Sequence, residues 1–438
     1  MSADISARRR RDIIDALRRG VVPTNGLDAL AVGLDRFVAA LDDDLDRVAG
    51  GGSVFKAVRG EYGAGKTFFT RWLAERAKRR GFAASEVQIS ELETPLHRME
   101  TVYRRLVEHL STEQFPPSAL RPVLDGWIFA LEEDVLAGGA VAEHDAEGLD
   151  RTVGELLERR LADISRSTPG FAAALRGYRA ANTAGDHAAA DGLAAWLGGQ
   201  PHVAASVRRG AGVRGDLDHF GALSFLQGLL TVLRDSGHPG LLLVLDEVET
   251  LQRVRSDARD KALNALRQLV DEIYAGRFPG LFLVITGTPA FFDGPQGTQR
   301  LSPLAQRLAT HFEADPRFDN PRAVQLRLAG FSVDALVELG IRARDIYGSD
   351  QVTTRIDDAY LRQLASAVTG KLGGQVGIAP RVYLKKLVAD VLDRVDQFED
   401  WDPRQRYELT LQADELTDVE RNAAGVSPGS AGDVDISV

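Results

Sequence analysis

Along this chain, four short runs are largely apolar, and between them apolar residues return at three- and four-residue intervals. The runs are Ser53–Arg59, Ala83–Ile89, Leu241–Leu245 and Leu281–Ile285. Runs this short without polar alternation read as strands covered on both sides, and helices between such strands place them in a parallel sheet. The expected class is therefore α/β, a parallel sheet flanked by helices. Helical spacing predicts elements over residues 30–49, 95–110, 222–233 and 256–274, and an N-terminal helix over 5–19 ended by Gly20. In that first helix Ile13, Ile14 and Leu17 share one stripe, with arginines including Arg8–Arg11 around it. Either the stripe packs on the body and the arginines are solvated, or the arginines contact nucleic acid or a partner.

Residues 112–215 have a different texture. They are rich in alanine, contain Pro116-Pro117, Gly138-Gly139 and Gly198-Gly199, and are helical in period over Trp127–Val135, Val153–Ile164 and Ala188–Leu197, with no strand-like run. They read as a helical insertion. After about Leu328 the strands thin out, and helical patterns over 333–347, 357–368 and 380–396 predict a small α-helical C-terminal lid domain. The organisation expected is a basic helix and linker (1–30), a core (31–330), the helical lid domain (331–420) and a tail (421–438) too poor in apolar residues to order itself.

Composition narrows the chemistry. The 438 residues include no cysteine, which removes disulfides, thiolate nucleophiles and cysteine-ligated metals. A net charge of −10 argues against non-specific coating of nucleic acid and leaves local basic patches open. No apolar run approaches the ~20 residues of a spanning helix, and no apolar stretch follows the N-terminal arginines as a secretory signal requires. The expectation is a cytoplasmic protein without a membrane partner. Its basic residues are 46 arginines and only seven lysines, so a lysine at a recognisable spacing stands out.

Lys66 is such a lysine. Gly60-Glu61-Tyr62-Gly63-Ala64-Gly65-Lys66-Thr67 matches G-x-x-x-x-G-K-[ST] at every required position, after a predicted strand and before a predicted helix. Such a loop turns successive backbone N–H groups onto phosphate oxygens, with the lysine on the β- and γ-phosphates and the hydroxyl on Mg²⁺. Gly60 to Thr67 are thus the candidate nucleotide-binding residues, Lys66 a candidate catalytic one, and ATP and Mg²⁺ the expected cofactors. Asp246-Glu247 ends an apolar run, at the carboxyl edge where a parallel sheet presents ligands. Asp246 is the candidate to hold Mg²⁺ through water, and Glu247 to polarise the water that attacks the γ-phosphate. Thr288, past the next strand, is the leading candidate to contact the γ-phosphate or that water, with Thr286 its competitor and a simple turn cap the plain alternative. Arg381, after Gly377-Ile-Ala-Pro380, is placed to reach the nucleotide from the lid or simply to open a helix. Arg307 is a candidate arginine finger toward a neighbouring subunit, or a surface arginine.

The order Gly60-x4-Gly-Lys-Thr, Leu-Val-Leu-Asp246-Glu247, Leu-Val-Ile-Thr-Gly-Thr288-Pro and Ala-Pro-Arg381 resembles the AAA+ P-loop ATPases of the origin-recognition and transposon-helper branch. There the polar strand tip and the Pro-Arg of the lid are sensors of the nucleotide. The segments Val58–Phe69, Glu86–Tyr103 and Ile378–Leu384 are similar to the BrxD-type ATP-binding proteins of bacterial BREX phage-defence systems, over roughly residues 8–400. That resemblance implies a cytoplasmic ATPase working beside a methyltransferase and other BREX proteins, as a homo-oligomer or hetero-complex, with DNA a further candidate partner. Three readings stay open: a Mg²⁺-dependent ATPase that switches or drives an assembly, an ATP-loaded scaffold with negligible turnover, and a DNA-binding loader. In the last, Arg8–Arg11, Arg18-Arg19 and Val207–Arg214 would contact phosphates.

Overall fold

Five strands pair side by side in one direction. The computed structural model, which describes residues 5–139, 141, 144–374, 379–417 and 420–422, contains β1 (Val54–Arg59), β2 (Ala83–Gln88), β3 (Leu241–Asp246), β4 (Leu281–Gly287) and β5 (Gln325–Arg327). Their order is β2-β3-β4-β1-β5, and every pairing is parallel. Registers run from Val54↔Phe282 to Arg59↔Gly287 and from Ala83↔Leu241 to Gln88↔Asp246. The strands therefore end together, and the loops after them open along one edge. This is the α/β sheet that the apolar runs predict.

Side chains alternate across that sheet. Leu241, Leu243, Leu245, Leu283 and Ile285 face one core with the helices Met99–Glu108, His219–Asp235 and Ser256–Tyr274. Leu242, Val244, Phe282 and Val284 face another with the helices Asp35–Ala49 and Lys66–Arg79. Both faces are dry, which is why these strands carry no polar alternation. The strand β5 was not legible in the sequence. It is three residues long, with only Leu326 in the hydrophobic core, and exists because it pairs with Ala57–Arg59 of β1.

Among its described residues the insertion carries helices and no strand. Its helices are Leu120–Ala137, Ala146–Arg160, Ala162–Ser167, Pro169–Thr183, His187–Leu197 and Ala205–Gly210. Pro169–Thr183 lacks a clean apolar stripe in sequence, yet buries Phe171, Leu175 and Tyr178. Phe225, on the helix leading into β3, is met edge-on by Tyr103, Phe171 and Trp196 at centroid distances of 5.8, 5.1 and 5.1 Å. The insertion thus shares the core that covers one face of the sheet rather than hanging from it.

A third core lies in the C-terminal helices Val333–Tyr347, Asp358–Lys371 and Ala379–Lys385, the last continuing through a π-helical turn at Lys386–Leu392. The N-terminal helix Ala7–Arg19 belongs to it: Ile13, Ile14 and Leu17 are buried among Leu336, Val382 and Leu387. Arg18 bonds both oxygens of Asp393 at 2.7 and 2.9 Å, and that partner raises the guanidinium pKa further. Arg8, Arg9, Arg11 and Arg19 stay exposed. The stripe packs on the body, as one of its two sequence readings has it. Phe68 and Phe331 also pack on this core, and a Cβ on Gly65 would lie 3.8 Å from the Phe331 ring. Phe331, just before the first of these helices, thereby links their core to the glycine loop. The expectation for the tail beyond Asn422 lies outside the described residues.

Truncating the fully buried Ile13 to alanine is expected to cost about 2–5 kcal/mol in urea denaturation, whereas Arg8→Ala on the exposed side costs within about 0.5 kcal/mol.

Candidate nucleotide-phosphate site

The loop between β1 and the helix Lys66–Arg79 owes its shape to two glycines. Gly63 and Gly65 have φ of +79° and +87°, left-handed values that side chains resist, and Gly65 is the residue from which the helix starts. Gly60 continues the β1–β4 ladder, its N–H donating to Gly287 O at 3.2 Å. A helix N-terminus with unspent N–H groups behind a glycine loop is an anion site by construction.

Lys66 opens that helix and is 8% exposed. Its ammonium donates to Gly60 O at 2.9 Å and Glu61 O at 3.3 Å, lies 5.2 Å from the Tyr62 ring centroid, and stands 3.8 Å from Glu249 Oε1. The next residue, Thr67, donates to Asp246 Oδ2 at 3.2 Å. Asp246, 5% exposed at the end of β3, also accepts the Glu247 N–H at 3.1 Å and the Thr286 hydroxyl from the neighbouring β4. Thr67 and Asp246 form a pair of hard oxygen donors of the type Mg²⁺ takes. Among the described residues no three His, Asp or Glu side chains form a protein-only cage. The residues present fit an ion that completes its shell with water and substrate phosphate.

Glu247 is held in an unusual backbone state. Its φ and ψ are +59° and +42°, left-handed for a non-glycine residue. Its N–H is bonded to both Asp246 and the Thr286 hydroxyl, and Gln88 Nε2 donates to its carboxylate at 2.9 Å. Gln88 ends β2, the strand beside β3, so their parallel register brings the amide to the carboxylate. Such strained conformations persist where the surroundings over-determine them.

Of the two threonines on β4 and its tip, Thr286 is the one bonded to the Asp246–Glu247 pair, fully buried. Thr288 stands at the N-cap of the helix Pro289–Asp293, without a side-chain capping bond. Arg381 donates to Glu420 and to Glu415 O rather than to the loop; Gly377 and Ile378 before it lie outside the described residues. Arg307 is paired with Asp271 and bonds Pro303 O at 2.7 Å. The structure therefore brings Gly60–Thr67, Asp246 and Glu247 together with Thr286, and gives Arg381 and Arg307 other partners. Sequence reasoning missed Gln88 and Glu249. A polar residue ending β2 and the alternation Asp246-Glu-Val-Glu249 are faint signals that become legible only with the fold.

A parallel sheet in this order, with a glycine loop after β1 and an acidic pair after β3, defines a P-loop NTPase-like protein. A family model described as BREX system ATP-binding protein BrxC/D matches residues 5–411 of the chain. The chain belongs to that family, the ATP-binding proteins of BREX phage-defence systems. Comparisons with curated proteins and with solved structures return no match.

Replacing Thr286 by valine keeps the shape and removes the hydroxyl that serves the buried Asp246 carboxylate. The expected cost is about 1–3 kcal/mol of stability by denaturant titration, the usual penalty for stranding a buried polar group.

Proposed function

We propose that this protein binds ATP at Gly60–Thr67 and hydrolyses it with Mg²⁺ in the cytoplasm, switching or driving an assembly that includes other BREX proteins, as a homo-oligomer or hetero-complex. One observation carries this reading: a buried carboxylate, Asp246, lies between the Thr67 hydroxyl and Thr286, with Glu247 beside it at the same sheet edge. In this reading the loop N–H groups hold the phosphates, and Lys66 exchanges its carbonyl partners for phosphate oxygens. Thr67 and Asp246 would hold Mg²⁺, which when bound neutralises phosphate charge. Glu247 orients the attacking water and takes its proton, once its carboxylate turns from the Gln88 amide. Thr286 fixes Asp246 and the Glu247 backbone, which gives it a closer part in the site than Thr288. A role for Arg381 or Arg307 at the phosphates requires each to leave its present carboxylate.

The rival is an ATP-loaded scaffold without turnover. Turnover, measured with and without duplex DNA, separates the two and identifies any stimulation by DNA. Lys66→Ala is expected to abolish ATP binding, while Glu247→Gln keeps binding and lowers turnover by about a hundredfold or more, the ordinary contribution of a general base. Unchanged turnover in Glu247→Gln removes that residue from the role.

A further inference from the structure

Glu249 is a buried carboxylate that the reading above does not use. It is 5% exposed, on the short turn Val248–Gln252 after β3, and among the described residues no other residue donates a hydrogen bond to its oxygens. Buried carboxylates are ordinarily satisfied by two or more donors. Here the compensation is the charge of Lys66, whose ammonium stands 3.8 Å away. The Glu249 carboxyl is raised above its ordinary range: burial pushes it up, Lys66 and then the residue's own backbone N–H pull it down, and the neighbouring carboxylates Asp246 and Glu247 push it up again. Tyr62 closes the same corner, its hydroxyl pushed up by burial and by Glu249, with Arg253 acting the other way.

We propose that Glu249 is an internal counter-ion that competes with nucleotide phosphate for Lys66, and so sets how tightly the site holds a triphosphate. This rests on the reading of Gly60–Thr67 as the ATP site. The ammonium is balanced by Glu249 at 3.8 Å and bonded to two carbonyls. When phosphates recruit Lys66, the carboxylate loses its main compensation and is left buried beside a polyanion of its own sign. Both effects oppose binding, because an unpaired buried charge and a like-charge contact each cost free energy. A carboxylate bonded by several neighbouring side chains would be indifferent to where Lys66 points; among the described residues no other residue donates to Glu249. The pair keeps the lysine charged and in place while the site is empty, and weakens the hold on phosphate when it is full. Glu249 is a positioning residue, acting through Lys66.

The test is equilibrium binding of ATP and of AMP to the full chain and to Glu249→Gln, which keeps the shape and removes the charge. AMP lacks the β- and γ-phosphates that Lys66 serves, so it reports any general change of the site. Glu249→Gln is expected to bind ATP about tenfold more tightly, chiefly through slower release, with AMP affinity unchanged. Glu249→Asp, which keeps the charge, is expected to stay near the parent affinity. Weaker or unchanged ATP binding in Glu249→Gln overturns the proposal, as does an equal shift for ATP and AMP. Should that variant fail to fold, Glu249→Met carries the same expectation. Lys66→Ala in parallel separates the two levels: if it binds ATP as the parent does, the ATP-site reading itself fails, whereas its loss of binding with an unaltered Glu249→Gln rejects the counter-ion alone.

Discussion

The Asp246 carboxylate is the point on which the site depends. It ends β3 and accepts hydrogen bonds from three directions: the Thr67 hydroxyl of the helix after the glycine loop, the Thr286 hydroxyl of β4, and the N–H of Glu247. Burying a carboxylate this deeply costs free energy unless its lone pairs are met or its charge is balanced, and here the lone pairs are met. The donors can be there because β4 lies between β1 and β3, with all three in parallel register. One charge thus links the loop, the central strand and the acidic pair. The same bonds pin the Glu247 backbone in its left-handed state.

Glu249, three residues on, is in the opposite condition. It is as buried as Asp246, but among the described residues no other residue donates a hydrogen bond to it. The two carboxylates differ in how their charge is met: one by three hydrogen bonds, the other by the ammonium of Lys66. Tyr62 over Lys66 and Phe331 near Gly65 complete the enclosure, the latter brought in by the C-terminal core. That core also takes in the N-terminal helix, so residues near both ends of the described chain, such as Ile5 and Leu416, share it.

What could be read from sequence followed the range of the forces involved. The strands β3 and β4 were legible because burial on both faces makes their runs Leu241–Leu245 and Leu281–Ile285 continuously apolar, β1 and β2 more faintly because polar residues interrupt theirs, and the glycine loop because its conformation and chemistry are local. The strand β5 exists only through pairing with β1, and the helix Pro169–Thr183 only through packing of Phe171 and Tyr178. Gln88 reaches Glu247 across two strands brought together from distant parts of the chain. Thr286 rather than Thr288 meets Asp246 because Thr286 still lies in β4 beside the end of β3, whereas Thr288 is already past the strand at the N-cap of the next helix. Arg381 and Arg307 looked available because Glu420 and Asp271, their partners, lie far away in sequence.

If Asp246 organises the site for a metal-bound triphosphate, the most direct measurement is ATP affinity as Mg²⁺ is raised, in the parent chain and in Asp246→Asn. The account predicts that Mg²⁺ tightens ATP binding in the parent and that Asp246→Asn loses about tenfold or more of that gain. An equal Mg²⁺ gain in both chains would contradict it.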